Sequence, residues 1–109
     1  MFNQIALIDQ FPGEEQPIKS LFSFMQKHAG ETFNVNAFFE VDAFYSQRTL
    51  LSILSVLTQN KMLKKIVRLR LNDSDYDSIL DVPLSVHSAE LNTDVIVEPK
   101  DIELLFKVI

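Results

Sequence analysis

The chain has 109 residues, no cysteine, 47% apolar and 23% charged side chains, and a formal charge of -5. This length suits one domain with its own core, and the composition speaks against disorder. The lack of thiols excludes a disulfide framework, a thiolate metal site and a cysteine nucleophile. No apolar run approaches the roughly 20 residues of a membrane helix. The opening "MFNQIALIDQFPGEEQ" has neither a basic region nor a small-residue cleavage site, so no leader is expected. A cytoplasmic protein without a membrane association is the expectation.

Residues 2–9 read as a strand or packed arm, and Pro12-Gly13 as a turn. A helix follows. Glu14 and Glu15 lie at its start and Pro17 in its first turn, Lys27 and His28 lie near its end, and Gly30 stands just beyond. That order suits the helix dipole and the Pro-first, Gly-last asymmetry. Ile18, Leu21, Phe22 and Met25 form its apolar face, from which Phe24 departs as a candidate interface residue. Phe33 and Val35 suit a very short strand, and Asn36 can cap a short helix carrying Phe38, Phe39 and Val41.

Ser46 is a good cap for a helix reaching about Gln59. Leu50, Ile53, Leu54 and Leu57 crowd one side of it, and Arg48, Ser52, Ser55 and Gln59 the other. Asn60 tolerates the left-handed backbone that ends helices. Val67, Leu69 and Leu71 then alternate with Arg68 and Arg70, the pattern of a half-buried strand. Residues 72–77 form a polar turn, 78–87 a returning strand with Pro83 at an edge or bulge, 88–93 a loop and 94–97 another strand. The last twelve residues favour a helix begun at Pro99 over a final strand. Their apolar end, "LLFKVI", would pack on the core or on a second subunit, and points to a dimer or larger complex.

Catalytic signatures are missing. Neither His28 nor His87 has metal-ligand spacing, no serine sits in a G-x-S-x-G setting, and two glycines make no phosphate loop. Asp73, Asp75 and Asp77 imitate a calcium loop, but Ser78 stands where it needs glycine and Leu84 where it needs glutamate. No enzyme activity, cofactor or metal is expected.

Charge is the more informative feature. The stretch "SQRTLLSILSVLTQNKMLKKIVRLRL" holds Arg48, Lys61, Lys64, Lys65, Arg68 and Arg70 and no acid. It is therefore +6, while the other four basic and fifteen acidic residues leave -11. Such asymmetry suggests a polyanion or an acidic protein partner.

Residues 33–71, "FNVNAFFEVDAFYSQRTLLSILSVLTQNKMLKKIVRLRL", resemble a winged helix-turn-helix domain: helix, short segment, helix, helix, then a two-stranded hairpin. The resemblance implies an α+β fold with a three-helix core, a two-stranded β-hairpin wing and a C-terminal strand or short helix. As one domain over 1–109, it would comprise an N-terminal strand or arm (1–13), the helices and first wing strand (14–71), and the second wing strand with a C-terminal extension (72–109). It further implies that the helix from Ser46 enters a major groove, with Gln47, Arg48, Ser52, Ser55 and Gln59 facing bases. Lys61, Lys64, Lys65, Arg68 and Arg70 would lie near phosphates. The expected function is DNA binding within a homodimer or larger assembly. The alternative is an adaptor, similar to small subunits of bacterial DNA-handling or defence complexes, whose basic wing docks on an acidic protein. Against DNA stand Asp73, Asp75 and Asp77 at the expected wing tip, which would repel phosphates.

Overall fold

A computed structural model describes residues 2–109 as a mixed α+β chain. Its helices are α1 (Gln4–Gln10), α2 (Glu15–Lys27), α3 (Val35–Phe39) and α4 (Gln47–Gln59). Its strands are β1 (Thr32–Asn34), β2 (Leu63–Leu69), β3 (Ser74–Tyr76), β4 (Ser85–Ser88), β5 (Thr93–Ile96) and β6 (Ile102–Val108). Two compact units divide the chain. A helical unit runs up to Lys64 and takes in Phe106–Ile109, and an inserted unit spans Lys65–Leu105.

The helical unit holds the main core. Leu7, Ile18, Leu21, Phe38, Leu50, Ile53, Leu54 and Leu57 are fully buried in it, joined by Leu63, Phe106 and Val108. The 3.6-residue spacing of the apolar positions in α2 and α4 makes each helix deliver one continuous stripe to that core. Beside them, Phe24, Phe33, Phe38 and Phe106 stack with ring centroids 4.9–6.1 Å apart. Phe24 is thus half-buried among rings instead of standing out as an interface residue, because the short β1–α3 segment brings Phe33 and Phe38 to it. Here β1 lies next to the end of β6, and the end of β6 next to the start of β2.

Residues 2–9 are not a strand or arm. Asn3 accepts a hydrogen bond from the Ala6 amide at 2.9 Å and starts α1, which buries Leu7. The short helix is capped by Asn34, not Asn36, through the Ala37 amide at 2.9 Å. Beyond α4 the left-handed residue is Lys61 (φ 61°), because Asn60 stays in ordinary space and donates its amide to the Val56 carbonyl at 2.9 Å.

In the inserted unit β6 neighbours β2, and β2 pairs antiparallel with β3. The returning strand therefore comes earlier than residues 78–87. Asp73, at φ 55°, allows a tight turn, and Asn72 Oδ1 accepts from the Ser74 amide at 3.2 Å. β2 ends at Leu69, leaving Leu71 in that turn. Residues 79–81 form one turn of 3-10 helix, and β4 pairs with β5 as a separate two-stranded sheet. The C-terminal segment has a single 3-10 turn at Pro99–Asp101 and then becomes strand β6, not a helix. The Arg70 amide donates to the Asp101 carbonyl at 2.8 Å where the strand begins. No helix among the described residues is long and apolar enough to cross a membrane.

Candidate nucleic-acid interface

In the helical unit the centre of interest is α4. Ser46, in extended conformation, accepts from the Thr49 amide at 3.1 Å and caps the helix. Two carboxylates hold the preceding loop to α2 and its approach. Glu14, the one buried charged side chain among the described residues, accepts from the Tyr45 amide at 3.0 Å. Ser20 donates its hydroxyl to Asp42 at 2.6 Å. That bond, and a second from the Ala43 amide, hold the Asp42 carboxyl below the usual carboxylate range. The start of α4 is fastened from both sides by these contacts, which sequence reading missed. The carboxylates lie 31 and 22 residues from their partners, and nothing local marks them.

Along α4, Gln47, Arg48, Ser52, Ser55 and Gln59 are exposed. Arg48, Ser52, Ser55 and Gln59 recur at helical spacing and make one outward stripe about 16 Å long. The Ser52 hydroxyl donates to the Arg48 carbonyl at 3.1 Å, leaving its lone pairs outward. Leu51 borders the stripe and is 38% exposed. Past the helix, Lys61 and Lys64 of the same unit are exposed as well. Among the described residues, neither Arg48 nor Lys61 makes an ion pair.

The remaining basic residues of the segment, Lys65, Arg68 and Arg70, belong to the inserted unit. Lys65 is exposed. Arg68 stands opposite Asp75 in the β2–β3 register and donates to it twice, Nε at 2.8 Å and Nη2 at 3.2 Å. Those bonds lower the Asp75 carboxyl from its ordinary value and raise the Arg68 guanidinium. Arg70 lies 3.6 Å from Glu103. Arg68 and Arg70 are therefore matched locally.

No family model, curated protein or solved structure matches this chain.

The histidines have ordinary surroundings. His28 ends α2, stacks on Phe24 at 4.5 Å and approaches Glu31 at 2.6 Å. His87 is exposed on β4, 3.3 Å from Asp94. No group of three His, Cys, Asp or Glu among the described residues is placed to hold a metal ion. Counting by unit changes the charge picture. The helical unit has six acidic and six basic residues. The inserted unit has nine acids against Lys65, Arg68, Arg70 and Lys100, so the whole -5 falls on it.

Proposed function

We propose that this chain is a non-enzymatic, cytoplasmic winged-helix module whose helical unit binds duplex DNA through α4. The observation that carries this reading is the outward stripe of Arg48, Ser52, Ser55 and Gln59 on a capped helix, followed by the exposed Lys61 and Lys64. Arg and Gln side chains pair with guanine and adenine edges, Ser with bases or phosphates, and lysines beyond the helix supply sequence-independent attraction. The element order supports it too. Helix, short strand, short helix and capped helix are followed by the antiparallel pair β2 and β3, as the resemblance calls for, while β4, β5 and β6 go beyond a two-stranded wing. The wing would then be the β2–β3 hairpin.

Fluorescence anisotropy with labelled random duplex DNA tests the reading. Binding in the micromolar range should weaken as salt rises, because each neutralised phosphate releases counterions. Arg48→Ala with Lys61→Ala should reduce affinity about tenfold or more at low salt, since each lost phosphate or base contact removes roughly 1 kcal/mol or more. Both side chains are exposed, so the fold should be unchanged by circular dichroism. Absence of binding at low salt would overturn the proposal.

A second reading, as a protein adaptor, is favoured by the inserted unit. With Arg68 and Arg70 already paired and a unit charge of -5, the sense of that docking reverses: the partner should be basic, not acidic.

A further inference from the structure

The β4–β5 hairpin is the least supported element of the inserted unit. The two strands pack chiefly on each other and form a sheet of their own, so both outer edges carry unpaired backbone donors and acceptors. A lone two-stranded hairpin is marginal in water. Its faces are unequal. Val86 stands opposite Val95, and the Val97 amide donates to the Leu84 carbonyl at 2.8 Å one step further along. Opposed residues point to the same side, so Leu84, Val86, Val95 and Val97 share one apolar face. His87, Asp94 and Ser85, with Ile96, occupy the other.

That apolar face is half-buried at Val86, Val95 and Val97 and open at Leu84. Leu84 is 88% exposed. Next to Val86 and Val95 lies a groove of about 410 Å³, lined also by Leu71, Leu91 and Glu90. Leu91 is 68% exposed, and Leu80, before the hairpin, 90%. Isolated exposed leucines are ordinary, but Leu71 and Leu91 on one groove, with Leu84 open on the hairpin face that supplies Val86 and Val95, indicate a contact surface on a strongly charged unit.

We infer that the β4–β5 hairpin docks an extended segment of another protein in which apolar and basic residues alternate. Such a segment would add a strand to an open edge of the hairpin, as peptides do in strand-addition complexes. Its apolar side chains would cover Val86, Val95 and the groove, while its lysines or arginines meet Glu90, Asp94 and the surrounding carboxylates. Charge selects this occupant over the others. A second copy would set an inserted unit of -5 against another of -5, and a nucleic acid is repelled in the same way. The inference does not depend on the DNA reading, since it uses no residue of α4.

The probe is a labelled nine-residue peptide alternating valine and lysine, titrated into the full chain and followed by anisotropy. Controls are a valine–glutamate and a serine–lysine peptide of equal length. The valine–lysine peptide should bind about tenfold or more tightly than either control, because it alone combines apolar burial with opposite charge. Leu84→Ser with Leu91→Ser should remove most of that preference without altering the fold, as both side chains are largely exposed. Glu90→Gln with Asp94→Asn should weaken binding and flatten its salt dependence. The Arg48→Ala, Lys61→Ala protein should bind the peptide as the parent does, which separates this surface from the DNA surface. Equal binding of the serine–lysine peptide would reduce the effect to charge attraction and overturn the proposal. So would a protein dimer that the Leu84/Leu91 variant dissolves, since a second copy would then be the occupant.

Discussion

The two units of this molecule are stabilised differently. The helical unit is neutral and buries a continuous set of side chains from α1, α2, α3, α4 and the strand ends. The inserted unit carries the whole net charge. Its buried apolar side chains are Val67, Leu69 and Leu105, while Leu71, Ile79, Leu80, Leu84, Leu91, Ile96 and Leu104 are exposed. Burial of apolar area dominates folding, so the first unit can stand on its own interior. The second relies more on ladder bonds and surface ion pairs, which contribute little each. A region whose structure is held this lightly is suited to adapting to a partner.

The sharpest way to break this comparison is to cut a leucine from each unit. Leu54→Ala, at a fully buried position, should lower unfolding free energy by about 2–5 kcal/mol in urea titrations. Leu84→Ala, at an exposed one, should change it by no more than about 0.5 kcal/mol. Equal losses would show that the hairpin belongs to the core. Amide hydrogen exchange should give the same ranking, with α4 protected near the global limit and β4–β5 exchanging through local opening.

Ser46→Ala probes a smaller term within the helical unit. Losing the bond to the Thr49 amide should cost about 1 kcal/mol, read as a lower thermal midpoint. Because that cap also sets the start of the proposed recognition helix, DNA affinity should fall with it.

The smallest expected effect is electrostatic. The Asp75 carboxyl is lowered by its bonds from Arg68, and Asp42 by its bond from Ser20. For a depressed carboxylate the unfolded state binds protons more readily. The stabilisation is therefore present above about pH 4, the unfolded value, and disappears as pH falls from there through the lowered folded values. Stability measured from pH 6 downward should fall in that window, and Asp75→Asn should make the fall shallower. The pair is exposed and screened by solvent, so its removal at neutral pH should change stability little.

Much of the helical unit could be read from local pattern. Ile18, Leu21 and Met25 of α2 and Leu50, Ile53, Leu54 and Leu57 of α4 are buried as their spacing predicts. Ser46 caps where a serine before an apolar-periodic run should. Residues 2–9 misled because a single apolar cluster lacks a decisive period, and the Asn3 cap tips it into helix. The end of the chain misled because Pro99 does start a helical turn, but strand pairing overrides continuation beyond Asp101. In the candidate site, the outward residues of α4 were legible from helical phase. The Glu14 and Asp42 anchors were not, since each joins positions remote in sequence. The open hairpin left one signal in the sequence: alternating apolar residues at Leu84 and Val86, and again at Val95 and Val97, on either side of a polar loop.

By itself the sequence determined the principal helices, their inward faces and the clustering of six basic residues between Arg48 and Arg70. These follow from spacing and composition, which are local properties. Only the tertiary structure decided what that clustering means. Strand pairing sets Asp75 against Arg68, and the return of β6 brings Glu103 near Arg70. The division into units places every unit of net negative charge on the inserted region. Charges add along a chain without regard to order, but they act at distances of a few ångströms, and those distances exist only once the strands have paired.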